Sequence, residues 1–351
     1  MWPQLATSAI DPAAGSNRCG IFALDLLIIA LAAFIASVTA TSAMIPWLAK
    51  QGAIATENER TMHAGAIPKG GGLPLLLSAL AAMTALTPVI ALPLPVIAGA
   101  AILALVSWRD DVTPVAAPWR FATHIAAASL FVFTLPDEAR VLQGLLPFAL
   151  DRLVTVIALT WMINLFNFMD GINGIAGAET VAIAIGYVLI GLLTMTTASS
   201  LPDMQLALAL LSATAGFLVW NCREKALVFL GDVGSVPLGF LMGVLSIDLA
   251  VKGHWAAALI LPAVFFADAK ITLIKRLLKG EKPWEPHKTH FYQRAAAAFG
   301  SHLAVVWRIT VANALLIAAA LWSLTSPWLA LTAAAAVVGL LLWHFNNVKH
   351  P

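Results

Sequence analysis

The amino-acid sequence predicts an all-α, polytopic transmembrane helical bundle of about eleven transmembrane helices, and three observations predict it. Apolar residues make up 60% of the 351-residue chain, and its mean hydropathy is +0.88. Charged residues are only 11%, against roughly 25% in a soluble domain. The apolar residues also fall in runs of about bilayer length, centred near residues 35, 79, 98, 127, 156, 186, 211, 241, 264, 313 and 335.

The first run follows about twenty mostly polar residues with no basic cluster before it, so it reads as a retained helix and not as a cleaved signal. The second and third are short, and Pro88, Pro93 and Pro95 between them suit a tight turn. The third runs into Arg109-Asp110-Asp111, and Arg120 opens the fourth. From Arg152 to Asp170 the chain covers roughly 27 Å as helix, enough to carry the fifth across the hydrocarbon. Arg223 and Lys225 follow the seventh run, Asp232 opens the eighth, and six basic residues from Lys275 to Arg294 follow the ninth. Arg308 opens the tenth, and Lys349 follows the eleventh. No internal repeat, low-complexity linker or soluble insertion interrupts the series, so residues 1–351 read as a single integral membrane domain.

Most of the 20 basic residues fall on one side of this topology, which assigns that side to the cytoplasm, the N-terminus to the outside and the C-terminus to the inside. Arg18, Arg140, Arg152 and Lys252 are left for the other face. A net charge of +2 offers nothing to a nucleic-acid partner. Cys19 and Cys222 lack metal or redox spacing and read as free thiols.

An ionised side chain near membrane depth is costly, so acidic residues at helix ends call for a cation, a partner or water. Four places on the cytoplasmic side meet this description. Asp110 and Asp111 are adjacent carboxylates, an arrangement suited to a metal or a basic role; alone, the pair also fits a solvated helix end balanced by Arg109. Asn164, Asn167 and Asp170 recur every three residues on one helical face, and Gly171 and Gly174 let backbone amides approach a ligand; the competing reading is a polar seam between helices. In Phe229-Leu-Gly231-Asp232-Val-Gly234-Ser235 a carboxylate flanked by glycines opens a helix, which suits a divalent cation beside phosphate oxygens or a simple N-cap. The longest polar loop, Lys279 to Arg294, carries His287, Lys288, His290 and Arg294. It forms an anion site or a basic anchor; a zinc pair at His287 and His290 lacks a third ligand nearby. Together the four place carboxylates for a cation and cations for phosphates on one face of a membrane bundle, which phosphoryl transfer to a lipid acceptor requires.

At these residues the sequence resembles the polyprenyl-phosphate N-acetylhexosamine-1-phosphate transferase superfamily, which includes the MraY translocase and the WecA-type initiating transferases. The motifs appear in family order: Arg60-x-x-His63 with Pro68-Lys69-Gly70-Gly71-Gly72, then Asp110-Asp111, Asn167-Phe-Met-Asp170-Gly, Asn221, the Phe229 to Ser235 block and the histidine loop. The form His287-Lys-x-His290-x-Tyr292-Gln293-Arg294, with Asp268 and Gly280-Glu281 before it, looks most like the branch that starts O-antigen assembly. It differs from the three-histidine form of the cell-wall translocase, which argues against a muramoyl-pentapeptide donor.

The resemblance implies a glycosyltransferase that moves an N-acetyl sugar 1-phosphate from a UDP-sugar to undecaprenyl or another polyprenyl phosphate and releases UMP. It implies Mg²⁺, or Mn²⁺ in its place, held chiefly by Asp232 with Asn167 or Asp111. Asp110 is the candidate for taking or steering the acceptor's proton, and Asp170 and Asn167 for orienting the donor. His287, Lys288 and His290 would bind diphosphate oxygens, joined by Arg60 and Lys69. Asn164, Asn221, Phe229 and Arg294 complete the expected substrate site. Many relatives carry an aspartate where this chain has Asn173, a position implied to face the nucleotide base; an amide there still donates and accepts hydrogen bonds. The resemblance also suggests a homodimer, although no heptad or small-xxx-small face in the sequence marks an interface. Two other readings use the same residues: a secondary transporter with Asp110, Asp170 and Asp232 as coupling sites, disfavoured by the missing repeat, and a two-step route through a covalent phosphosugar on a carboxylate such as Asp110.

Overall fold

A computed structural model describes residues 12–51, 54–55, 67–86, 94–194, 201–282 and 287–348, so Arg60, His63 and the Pro88 to Pro93 turn lie outside the described residues. The helices are α1 (Pro12–Lys50), α2 (Gly72–Leu86), α3 (Leu94–Val112), α4 (Ala117–Val132), α5 (Phe148–Met169), α6 (Ile175–Thr194), α7 (Leu201–Asn221), α8 (Asp232–Val251), α9 (Trp255–Ile260), α10 (Ala263–Leu278), α11 (Phe291–Phe299), α12 (His302–Trp322) and α13 (Pro327–Asn347). Between α1 and α2 a short antiparallel pair, β1 (Ile54–Ala55) and β2 (Ile67–Pro68), is joined Ile54 to Pro68 and Ala55 to Ile67. The protein is an all-α polytopic membrane protein. Among the described residues seven helices are long and apolar enough to span a bilayer: α1, α5, α6, α7, α8, α12 and α13.

The central helix is α8, buried along nearly its whole length. It packs closely against α5 because Gly239 and Gly243 remove side chains where Ile163, Phe166, Leu159 and Met162 of α5 arrive. Small residues let helix backbones approach where lipid provides no hydrophobic drive for association. This glycine pair, at small-xxx-small spacing, is therefore spent inside the chain. Gly99 of α3 does the same for Phe240 on a neighbouring side of α8.

The expected ninth span is not continuous. Pro262 has no amide hydrogen to extend the ladder, and the chain breaks there into α9 and α10. The first turn of α10 then exposes unbonded amides inside the bundle. The carboxylate of Glu179, wholly buried on α6, faces the amide of Phe265 and accepts a hydrogen bond of 2.7 Å from Asn313 of α12. A second departure is α11, a nine-residue helix that begins inside the stretch expected to be loop up to Arg294 and runs on past it.

The two ends of the bundle differ. At one end Asp151 accepts the amides of Val141 and Leu142, Arg152 donates to the carbonyls of Leu135 and Pro136, and Lys252 pairs with Asp248 at 2.6 Å. The basic residues assigned by sequence to the outer face, Arg140, Arg152 and Lys252, sit here. At the other end, which carries the remaining motifs, exposed Trp47, Trp119, Trp307 and Trp343 ring the helix termini, and Trp322 and Trp328 mark the opposite boundary. Two such aromatic belts are the signature of the membrane–water interfaces.

A Cβ added to Gly72 would run into the Cα of Gly234, backbone against backbone, whereas Gly339 of α13 has open space beside it. Gly72→Ala is expected to lower stability by about 1–3 kcal/mol, the range for overpacking, and Gly339→Ala to leave it within about 0.5 kcal/mol. Thermal unfolding in detergent distinguishes them.

Candidate active site

The segment after β2 builds one wall. Lys69 pairs with Phe229 in a parallel bridge: the Phe229 amide donates to Pro68, and the Gly71 and Gly72 amides donate to Phe229 and Leu230, each at 2.8–2.9 Å. This pairing sets Lys69 beside the start of α8. Gly231, at φ +73°, turns the chain into the helix with a conformation that suits glycine. A side chain there would also strike the Asp111 carboxylate.

Asp111, from the last turn of α3, accepts the Val233 amide at 3.0 Å and thereby caps α8 from a neighbouring helix. Asp110 beside it accepts the Val115 amide at 2.7 Å and an Arg120 guanidinium hydrogen bond at 2.6 Å. Arg120 also lies 3.7 Å from Asp232, so it links two carboxylates. Asp232 is the first residue of α8 and is hydrogen-bonded to Asn167, whose amide also reaches Ser235 at 3.2 Å.

Asp170 ends α5 and faces this group. Burial, with the Asp232 and Asp111 charges adding to it and Lys69 opposing, pushes its carboxyl up to about 8 from an ordinary 3.8. The charge of Lys69 acts on Asp111, Asp170 and Asp232 together. Next along the chain, Gly171 lies against the hydroxyl of Tyr292, which donates to the Phe168 carbonyl at 3.1 Å and so brings the histidine loop to the end of α5. In that loop His287 and His290 stack with ring centres 4.9 Å apart. Behind them buried Asp268 of α10 accepts from His290 at 3.0 Å and from the first amides of α11.

Other expected site residues have different neighbours. Asn173 is buried, with its amide donating to the carbonyls of Arg223 and Glu224, while Asn221 joins Gly174 to Val228. Both hold the turn between α7 and α8 against the Asp170 loop. Asn164 lies one helical turn deeper, bonded to Thr160 and to His124. Arg294 reaches Asn346 of α13 at 3.2 Å, and Lys288 is exposed on the loop.

Among the described residues no three carboxylate, imidazole or thiol groups form a ready metal cage. One carboxylate, Asp232, with the Asn167 amide beside it, fits Mg²⁺ nonetheless, because that ion is usually held by one or two carboxylates with water and substrate phosphates completing its shell.

Comparison with known proteins bears on this geometry. The family model described as glycosyl transferase family 4 matches residues 93–250, which include Asp110, Asp111, Asn167, Asp170 and Asp232. The chain is 28% identical over 324 residues, 82% of its length and 80% of the relative's, to a decaprenyl-phosphate N-acetylglucosaminephosphotransferase of Mycobacterium tuberculosis. The chain is thus similar, over most of its length, to transferases that act on polyprenyl phosphates. It is also 25% identical, over 72% of each chain, to a probable undecaprenyl-phosphate N-acetylglucosaminyl 1-phosphate transferase of Bacillus subtilis. A phospho-N-acetylmuramoyl-pentapeptide-transferase of Streptococcus thermophilus is 34% identical over a shorter stretch, 41% of this chain and 42% of the relative.

Sequence reasoning gave no role to four residues that organise this bundle and its site: Arg120, Ser235, Tyr292 and Glu179. Glu179 carried a usable signal, since an ionisable residue inside an apolar run needs a partner. Arg120 was counted only as positive charge.

The metal-free protein offers a pH test. A carboxyl whose folded pKa is raised binds more protons folded than unfolded. Its stabilising contribution is complete below the unfolded value of 3.8 and is lost as pH rises toward about 8. The unfolding midpoint is expected to fall between about pH 4 and 8, with a shallower slope in Asp170→Asn; differential scanning fluorimetry across buffers measures both slopes.

Proposed function

We propose that this protein transfers an N-acetylhexosamine 1-phosphate from a UDP-sugar to a polyprenyl phosphate, at the cytoplasmic face of a bacterial inner membrane, with UMP as the leaving product. The observation that supports this most is the meeting of Asp111, Asp170, Asp232, Asn167 and Lys69 at one end of the bundle, in a chain whose relatives are named for this class of transfer. Lys50, Lys69, Arg109, Arg120 and Arg276 belong to the same end, which favours a cytoplasmic site, an outer N-terminus and a cytoplasmic C-terminus. Residues 1–351 act as one catalytic unit. The form of the histidine loop favours a role at the start of O-antigen or related envelope glycan assembly.

An oxygen of the lipid phosphate attacks the phosphorus that bears the sugar, the bond from that phosphorus to the bridging oxygen breaks, and UMP leaves with the bridging oxygen. Asp232 and Asn167 would hold Mg²⁺, which supplies positive charge against the donor diphosphate. Lys69 adds a fixed ammonium to the same phosphates. Asp170 and the open backbone at Gly171 orient the donor, while Asp110 takes or steers the acceptor's proton. His287, Lys288 and His290 meet diphosphate oxygens. Asp111, through its bond to Val233, keeps the first turn of α8 at the angle that presents Asp232. Asn173 and Asn221 shape the wall behind the donor.

Purified protein incubated with a panel of radiolabelled UDP-N-acetyl sugars, polyprenyl phosphate and Mg²⁺ is expected to release UMP only when all three are present. No release with any donor would overturn the proposal. Asp232→Asn is expected to lower kcat at least about 100-fold while keeping its unfolding midpoint. Because substrate oxygens complete the metal shell, Mg²⁺ binding measured by calorimetry is expected to be weak alone and about tenfold or more tighter with UDP-sugar present.

A further inference from the structure

We propose that Asp268 is a positioning residue for the reaction, acting through His290 to hold the His287–His290 pair against the end of α5; this rests on the transferase reading above. Asp268 lies on α10 between one and two turns past the Pro262 break, with its side chain only 2% exposed. A buried carboxylate is costly unless its oxygens are satisfied. Here Oδ1 accepts from His290 Nδ1 at 3.0 Å, from the Phe291 amide at 3.1 Å and from the Thr272 hydroxyl at 3.2 Å. Oδ2 accepts the Tyr292 amide at 2.9 Å.

Capping α11 alone does not account for this arrangement. A serine or asparagine at position 290 would serve the same first-turn amides without burying a charge from another helix. What the buried carboxylate adds is control of the imidazole. With amides and a hydroxyl already donating to it, Asp268 is the acceptor, so the proton shared with His290 lies on Nδ1 and the carboxylate fixes which way the ring faces. The ring cannot swing freely, because it is stacked between His287, at 4.9 Å and 29°, and Tyr292, at 5.5 Å and 30°. Tyr292 in turn bonds to Phe168, two residues before Asp170. The result is a continuous chain from α10 through Asp268, His290 and Tyr292 to the donor-orienting loop. His290 is buried and His287 only half-buried, so His287 is the more accessible face of the pair.

The test uses the full-length protein in lipid nanodiscs, with UMP release as readout, and compares Asp268→Asn, His290→Gln and the double variant. Asp268→Asn is expected to lower kcat about 10- to 100-fold with a smaller change in donor KM, and the double variant to be no slower than His290→Gln alone. Losses that multiply in the double variant, or an Asp268→Asn enzyme with the original kcat, would overturn the proposal. An active parent protein with His290→Gln equally active would also overturn it while leaving the transferase reading intact. A parent protein that releases no UMP defeats the transferase reading instead. The hold on His290 is read independently of activity and of how the variants fold from ¹⁵N-histidine spectra of the parent protein. A His290 signal with the proton on Nδ1 is expected; a proton on Nε2 alone would overturn the assignment.

Discussion

Two glycines that touch, Gly72 and Gly234, set the terms for the rest of the molecule. Their contact lets the backbone after β2 lie directly on the first turn of α8, so that Lys69 pairs with Phe229 and Gly72 with Leu230. Any side chain at this crossing would separate the wall that supplies the ammonium from the helix that supplies Asp232. Close backbone packing of this kind is how membrane helices associate when apolar burial gives them little preference over lipid. It also makes the site a property of several helix ends at once, since Asp111 from α3 and Asn167 from α5 are both tied to the same turn of α8.

Much of the plan was legible in the amino-acid order. Apolar runs of bilayer length located the spanning helices, and the carboxylates at their ends stood out because charge near hydrocarbon is rare. What could not be read were partnerships between distant segments. Asn173 and Asn221 look like ligand contacts in a linear motif, yet they bond to backbone, tying the loop before α6 to the end of α7 and the turn that follows it. Asn164 shares the helical face of Asn167 but sits a turn too deep and meets His124. The break in the ninth apolar run was signalled by Pro262, but hydropathy averages over such a residue and reports one span. Asp268 was visible as part of a pattern, without any indication that it caps α11.

The broken helix deserves weight for a different reason. An interrupted ladder in a bilayer leaves amides that water cannot reach, and such groups are tolerated only where protein partners satisfy them. Glu179 and Asn313, from α6 and α12, stand at that break. The interruption lets α10 carry Asp268 and α11 to the end of α5, which an unbroken span would direct elsewhere. The Glu179–Asn313 pair thus stands where regular helix is abandoned, and that break supports the site. The opposite end shows the same economy, with Asp151 and Arg152 closing the loop before α5 by backbone bonds.

The exposed tryptophans near the site, Trp47, Trp119, Trp307 and Trp343, fix its depth at the level where lipid headgroups lie. A phosphate tethered to a long isoprenoid tail already resides in that plane, and its tail need not leave the oil to deliver it. Its search for the protein is a walk in two dimensions, and the abundance that governs encounter is the lipid's fraction of the leaflet. In the proposed reaction the nucleotide-linked reactant would arrive from the water above and be counted in moles per litre, so the two reactants would be set by independent supplies that meet only along this ring.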